Sequence, residues 1–132
     1  ISEGLASEAF DMIADLPDTR SRLILALNKA YGWVEINPEI TSICMGYRMK
    51  TMFQNTEHLT EETGTQRIIK EIIRLGQQNG EIRTDIPEIL LVAHINFLRG
   101  SVVLAWLSDP SSFDLKVEMT RLVDLFLNGA AA

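Results

Sequence analysis

Leu75-Gly76-Gln77-Gln78-Asn79-Gly80-Glu81-Ile82-Arg83-Thr84-Asp85-Ile86-Pro87 is the stretch around which the chain is organised. Gly80 supplies the left-handed C′ residue that ends a helix without a Cβ penalty. Asp85 suits the N-cap of the next helix, with Glu88 three residues later completing a capping box and Pro87 in the first turn. The stretch therefore reads as helix stop, short link and helix start.

Beyond the link lies the longest apolar segment, residues 87–108, which is apolar almost all round. Leu91, Ile95, Leu98, Val102 and Ala105 form one seam at 4-3-4-3 spacing. Ile89, Ala93, Asn96, Gly100, Val103 and Leu107 form another. A small domain seldom covers both sides of such a helix, so a partner chain is expected on one of them. After Asp109-Pro110-Ser111-Ser112 comes a final helical segment with Leu115, Met119, Leu122 and Phe126 on one stripe, stopping at Gly129.

On the other side of the link, Ile68, Ile69, Ile72, Ile73 and Leu75 face one way, and Arg67, Lys70, Arg74 and Gln77 the other. Before a polar stretch at 54–65, a segment opens at Asn37-Pro38, an N-cap followed by proline at N1. Its Ile40, Ile43, Cys44 and Tyr47 point one way, and Met45, Met49, Met52 and Phe53 nearly the opposite way. A helix apolar on two sides is expected to lie sandwiched in an interior. Upstream, a helix from Asp18 turns Leu23, Leu27, Ala30, Tyr31 and Val34 inward. A first segment with Leu5, Ala9, Met12, Ile13 and Leu16 on one face is stopped by Pro17. No strand pattern stands out. The expected fold is all-α, an antiparallel helical bundle of about six helices, with residues 1–132 as a single domain.

The chain carries a net charge of −6, with 46% apolar and 23% charged residues. The acidic balance speaks against a surface that grips phosphate backbones. Glu88, His94, Asn96 and Arg99 interrupt the longest apolar run, so no membrane span is expected. Cys44 is the single cysteine and has apolar neighbours, which predicts an inert buried thiol. A cytoplasmic location is the default. Catalysis finds little support. His58 and His94 are the two histidines, and no Cys/His or Glu-x-x-His spacing suggests a metal. His94 and Ser101 lie ~10 Å apart along a helix axis, too far for nucleophile activation. No enzyme activity, metal or cofactor is expected.

The ordered pieces in residues 67–129 resemble the C-terminal regulatory domain of TetR-family transcriptional regulators. An amphipathic helix leads into Gly80-Glu81-Ile82-Arg83-Thr84-Asp85. A long helix then holds Gly100 and Trp106-Leu107, and a last helix reads Leu122-Val123-Asp124-Leu125-Phe126-Leu127-Asn128-Gly129. The first half matches in helix layout. The family's N-terminal helix-turn-helix is not in this chain, so the resemblance implies a sensor and dimerisation unit. Operator DNA would be reached only through that missing module. The family packs its last two helices with a symmetry mate, which places Leu91, Leu98, Val102, Ala105, Leu115, Met119, Leu122 and Phe126 at a homodimer interface. It also binds a small effector inside the helical domain. Phe10, Trp33, Met45, Met49, Met52, Phe53, His94 and Phe97 are the candidate liners. Adaptable methionines and broad aromatics suit a small apolar or amphipathic molecule. Taken singly, each of these residues reads more readily as ordinary core filling, and it is as a group that Met45, Met49, Met52 and Phe53 read as a pocket wall. His94, titratable near neutrality, offers a polar contact. The alternative is a helical protein–protein interaction module without a small ligand.

Overall fold

The computed structural model describes residues 13, 15–54 and 64–131, with the side chains at 33, 45, 47–49, 51–54 and 64 outside the description. It is all-α among these residues. Its helices are α1 (Thr19–Ile36), α2 (Pro38–Gln54), α3 (Gly64–Gln78), α4 (Glu88–Ser108) and α5 (Leu115–Ala130). These are the second to sixth segments read from sequence. Of the first, Ile13 is described as helical and buried, and Leu5, Ala9 and Met12 lie outside the described residues.

The link after α3 fixes the layout. Gly80 adopts φ +80° and ends the helix, as its position predicts. The chain then folds back so that the Glu81 and Ile82 N–H groups both donate to the Gly76 carbonyl. Glu81 accepts from the Thr19 N–H at 2.8 Å and so caps the start of α1. The Arg83 N–H donates to the Ala130 carbonyl at 2.8 Å and its Nη1 to the Gly129 carbonyl, which caps the end of α5. One end of the molecule thus holds the starts of α1 and α4 and the ends of α3 and α5. Helices α1, α3, α4 and α5 form an antiparallel ring in which each packs on its two neighbours. The pairs α1/α4 and α3/α5 stand diagonally opposite. Leu23 and Leu27 of α1, Ile69, Ile72 and Ile73 of α3, Ile95 of α4, and Met119 and Val123 of α5 meet inside the ring. Helix α2 lies outside it, touching α1 and α4 over short stretches.

Three local expectations are corrected. Asp85 does not cap α4. Pro87 occupies the N-cap position without a side-chain bond, because Asp85 is drawn into a bidentate pair with Arg83 at 2.7 and 2.6 Å. The cap of α5 is Asp114, which accepts from the Lys116 and Val117 N–H groups. Cys44 is exposed rather than buried, and so are Ile40 and Ile43 beside it, Ile43 at 72%. Only a sparse edge of α2 meets the ring, so this face of the helix is not sandwiched.

Candidate functional site

Helix α4 is apolar on every side, and its neighbours decide which residues go where. Leu91, Ile95, Val103 and Trp106 turn inward and are buried. The opposite face carries Leu90, His94, Phe97, Ser101 and Leu104 at 4-3-4-3 spacing, and all five are exposed, Phe97 at 69%. Val117 and Leu125 on α5 are exposed as well, Leu125 at 68%. Between the two helices runs an open groove of about 290 Å³ lined by Leu98, Val102, Glu118, Arg121, Leu122 and Leu125. The Arg121 guanidinium pairs with Glu118 at 2.8 Å on its rim. By length and composition alone α4 could also cross a bilayer.

The residues expected at a dimer interface divide into two sets. Leu91, Leu115, Met119, Leu122 and Phe126 are buried in the chain's own core, because the inward stripe of α5 is what closes the ring against α1 and α4. Leu98 and Val102 are half-buried along the groove, and Ala105 is exposed. The outward seam of α4 is thus neither of the two seams traced from sequence.

Of the residues expected around an effector, Phe10 lies outside the described residues, as do the side chains of Trp33, Met45, Met49, Met52 and Phe53. His94 and Phe97 are exposed on the outward seam of α4, so they do not close an interior cavity. The inward positions they would need are filled by Ile95 and its neighbours.

Inside the ring there is a polar group that sequence reading missed. Arg99 falls on the inward stripe of α4, one turn from Ile95 and one turn from Val103, both buried. It is half-buried, and its Nε donates to Asn96 Oδ1 at 3.0 Å. It makes no ion pair with a carboxylate among the described residues. Tyr31 of α1 is 1% exposed, and its hydroxyl lies within reach of the Arg99 guanidinium of α4, with no hydrogen bond of full geometry to it among the described residues. Burial pushes the Tyr31 phenol pKa up, and the nearby Arg99 guanidinium pulls against that shift without reversing it. The spacing Ile95-Arg99-Val103 held the signal, since a charge on a buried-residue stripe is rarely idle.

At the far end of the ring an open depression of about 460 Å³ is lined by Glu35, Trp106, Pro110, Phe113, Asp114 and Leu115. Asp114 is already engaged there as the α5 cap. No group of three or more His, Cys, Asp or Glu side chains comes together among the described residues. Compared with known protein families, curated proteins and solved structures, the chain matches none.

Proposed function

We propose that this chain is the effector-sensing and dimerising domain of a TetR-like transcriptional regulator. It works in the cytoplasm as a homodimer, senses a small apolar or amphipathic molecule, and reaches operator DNA through a reading head outside this chain. One observation carries the dimer: α4 and α5 are adjacent, close the chain's order, and present Leu90, Phe97, Leu104, Val117 and Leu125 outward on either side of an apolar groove. Soluble surfaces rarely leave such a stripe uncovered. A second copy covers it by two-fold symmetry, so that two α4/α5 pairs form a four-helix contact. The α4 seam contains no Asp, Glu, Lys or Arg, and the two charges that line the groove beside it, Glu118 and Arg121, already neutralise each other within one chain, so copies that each carry −6 meet there without burying an unpaired charge. The stretch from Arg67 to Gly129, in the order described, supports the family assignment.

Sedimentation of the chain in detergent-free buffer tests the proposal. A dimer is expected at micromolar concentration, with an interface above ~1,200 Å² in total. Phe97→Glu should convert it to a monomer with unchanged helical circular dichroism, because Phe97 contributes little to the chain's own core. A stable wild-type monomer, or a protein that stays in solution only with lipid or detergent, would overturn the reading.

A further inference from the structure

The outward seam of α4 carries one titratable side chain. His94 stands one turn from Leu90 and one turn from Phe97, and all three are exposed. Its imidazole makes no hydrogen bond or ion pair with any described residue. The fold of a single chain therefore gives it no polar contact.

The charged groups around the seam are engaged elsewhere. On α5, Glu118 and Arg121 line the groove and pair with each other at 2.8 Å. On α3, Glu71 pairs with Arg74, which also feels Glu88 at the start of α4. Helix α2, which touches α4 over a short stretch, carries exposed Glu39 and Lys50, and neither pairs with His94. A second copy on the seam brings the same residues. Its Leu90, Phe97, Ser101 and Leu104 are uncharged, its Glu118 is held by its own Arg121, and its His94 repels a like charge. Whichever way the two helices run, an imidazolium there lies in an apolar contact without a counter-charge. A neutral imidazole is satisfied by a serine hydroxyl or an interfacial water.

We propose that the dimer is released by acid: His94 is covered in its neutral form between the two copies, and its protonation drives them apart. The proposal rests on the dimer reading and adds its regulation. An unperturbed histidine changes charge near pH ~6.5. The paired state accepts the neutral form and the separate chain accepts both, so dissociation takes up protons and acid favours it. Bulk charge acts with the opposite sign. Protonating both histidines takes each chain from −6 to −4, which weakens the repulsion between copies and by itself would tighten the dimer.

Sedimentation of the full chain at about pH 8 and about pH 5.5 tests the proposal. The dissociation constant is expected to rise more than about tenfold in acid, and about a hundredfold where both copies of His94 stay neutral in the pair, with unchanged helical circular dichroism. His58→Gln should keep this response. His94→Gln, compared with itself at the two pH values, should lose it and tighten slightly in acid. Dilution calorimetry of the wild-type dimer gives a readout without substitution. In two buffers of different ionisation enthalpy near pH ~6.5, dissociation should take up protons. A wild-type constant that stays level or falls in acid, dissociation without proton uptake, or an acid response that survives in His94→Gln would overturn this proposal and leave the dimer standing. Loss of helicity over the same range would also overturn it, because unfolding would then separate the copies. A chain that is monomeric even at the higher pH strikes the dimer reading as well.

Discussion

Gly76 shows how one residue ties three elements together. A Cβ at this position would meet Ile82 Cδ1 at 2.7 Å, Ile82 Cγ1 at 2.9 Å and Thr19 Oγ1 at 2.9 Å. Ile82 is fully buried and Thr19 nearly so, and neither has room to retreat. Gly80 is a different case, with open space around it but a positive φ. Gly80→Ala therefore meets backbone strain alone, ~1–2 kcal/mol for an L side chain in the left-handed region. Gly76→Ala meets steric overlap at a three-way junction, and overpacking of this kind costs ~1–3 kcal/mol. Thermal denaturation of the two variants should show the larger fall for Gly76→Ala. The reverse order would mean that Ile82 can rotate away and that the junction is looser than its burial implies. Arg99 is the opposite kind of residue, in that no carboxylate among the described residues pairs with it. Its identity is legible in sequence, and its inward placement is not, because it depends on which side of an all-round apolar helix the neighbours choose.

The helix ends rest on exchanged caps, and these respond to pH with a definite sign. Asp18 accepts from the Ser21 N–H at 2.7 Å at the start of α1, and that bond holds its carboxyl below the ordinary value of 3.8. Asp124 of α5 pairs with Arg20 of α1 at 2.7 Å, and the Arg20 hydrogen bond holds it low as well. The Arg83 hydrogen bond does the same for Asp85. A carboxyl whose folded pKa is depressed adds stability above its unfolded pKa and loses it as pH falls through the folded one. Asp124→Asn should therefore melt below wild type at neutral pH, by a small margin since the pair is half-exposed. The difference should close as the pH is lowered well below 3.8. A margin that persists in acid would assign the loss to something other than the ion pair. The inward stripes of α1 and α3 were legible in the sequence because their polar and apolar faces differ, and Leu23, Leu27, Tyr31, Ile68, Ile69, Ile72 and Ile73 are buried as read. Helix α4 offered no such contrast, so periodicity located the helix without orienting it. The Asp85 cap was misread because a local bidentate partner, Arg83, outbids the orphan N–H groups of the next helix. Exposure of Cys44 followed from how little of α2 the ring touches, a tertiary fact with no local signature.

At the scale of the molecule, surface charge and apolar face act in opposition, and that makes the proposed dimer testable by salt. Duplex DNA of any sequence should not be bound tightly by this chain at physiological ionic strength, and a gel-shift titration should stay flat. Two copies approaching each other both carry −6 and repel. The contact face supplies Leu90, Phe97, Leu104, Val117 and Leu125, and within the groove Arg121 is already paired with Glu118 of its own chain. Association should therefore be driven by apolar burial and opposed by long-range repulsion. Raising salt shortens the screening length from ~30 Å at 0.01 M to ~8 Å at 0.15 M, which removes the repulsion and leaves the burial. The dimer dissociation constant, read by sedimentation across that range, is expected to fall severalfold. A constant that rises with salt would show that Arg121 and Glu118 exchange partners across the two-fold axis and that ion pairs, rather than the Phe97 seam, hold the copies together. Arg121→Gln separates the cases: it should scarcely change an apolar dimer and should loosen one held by charge.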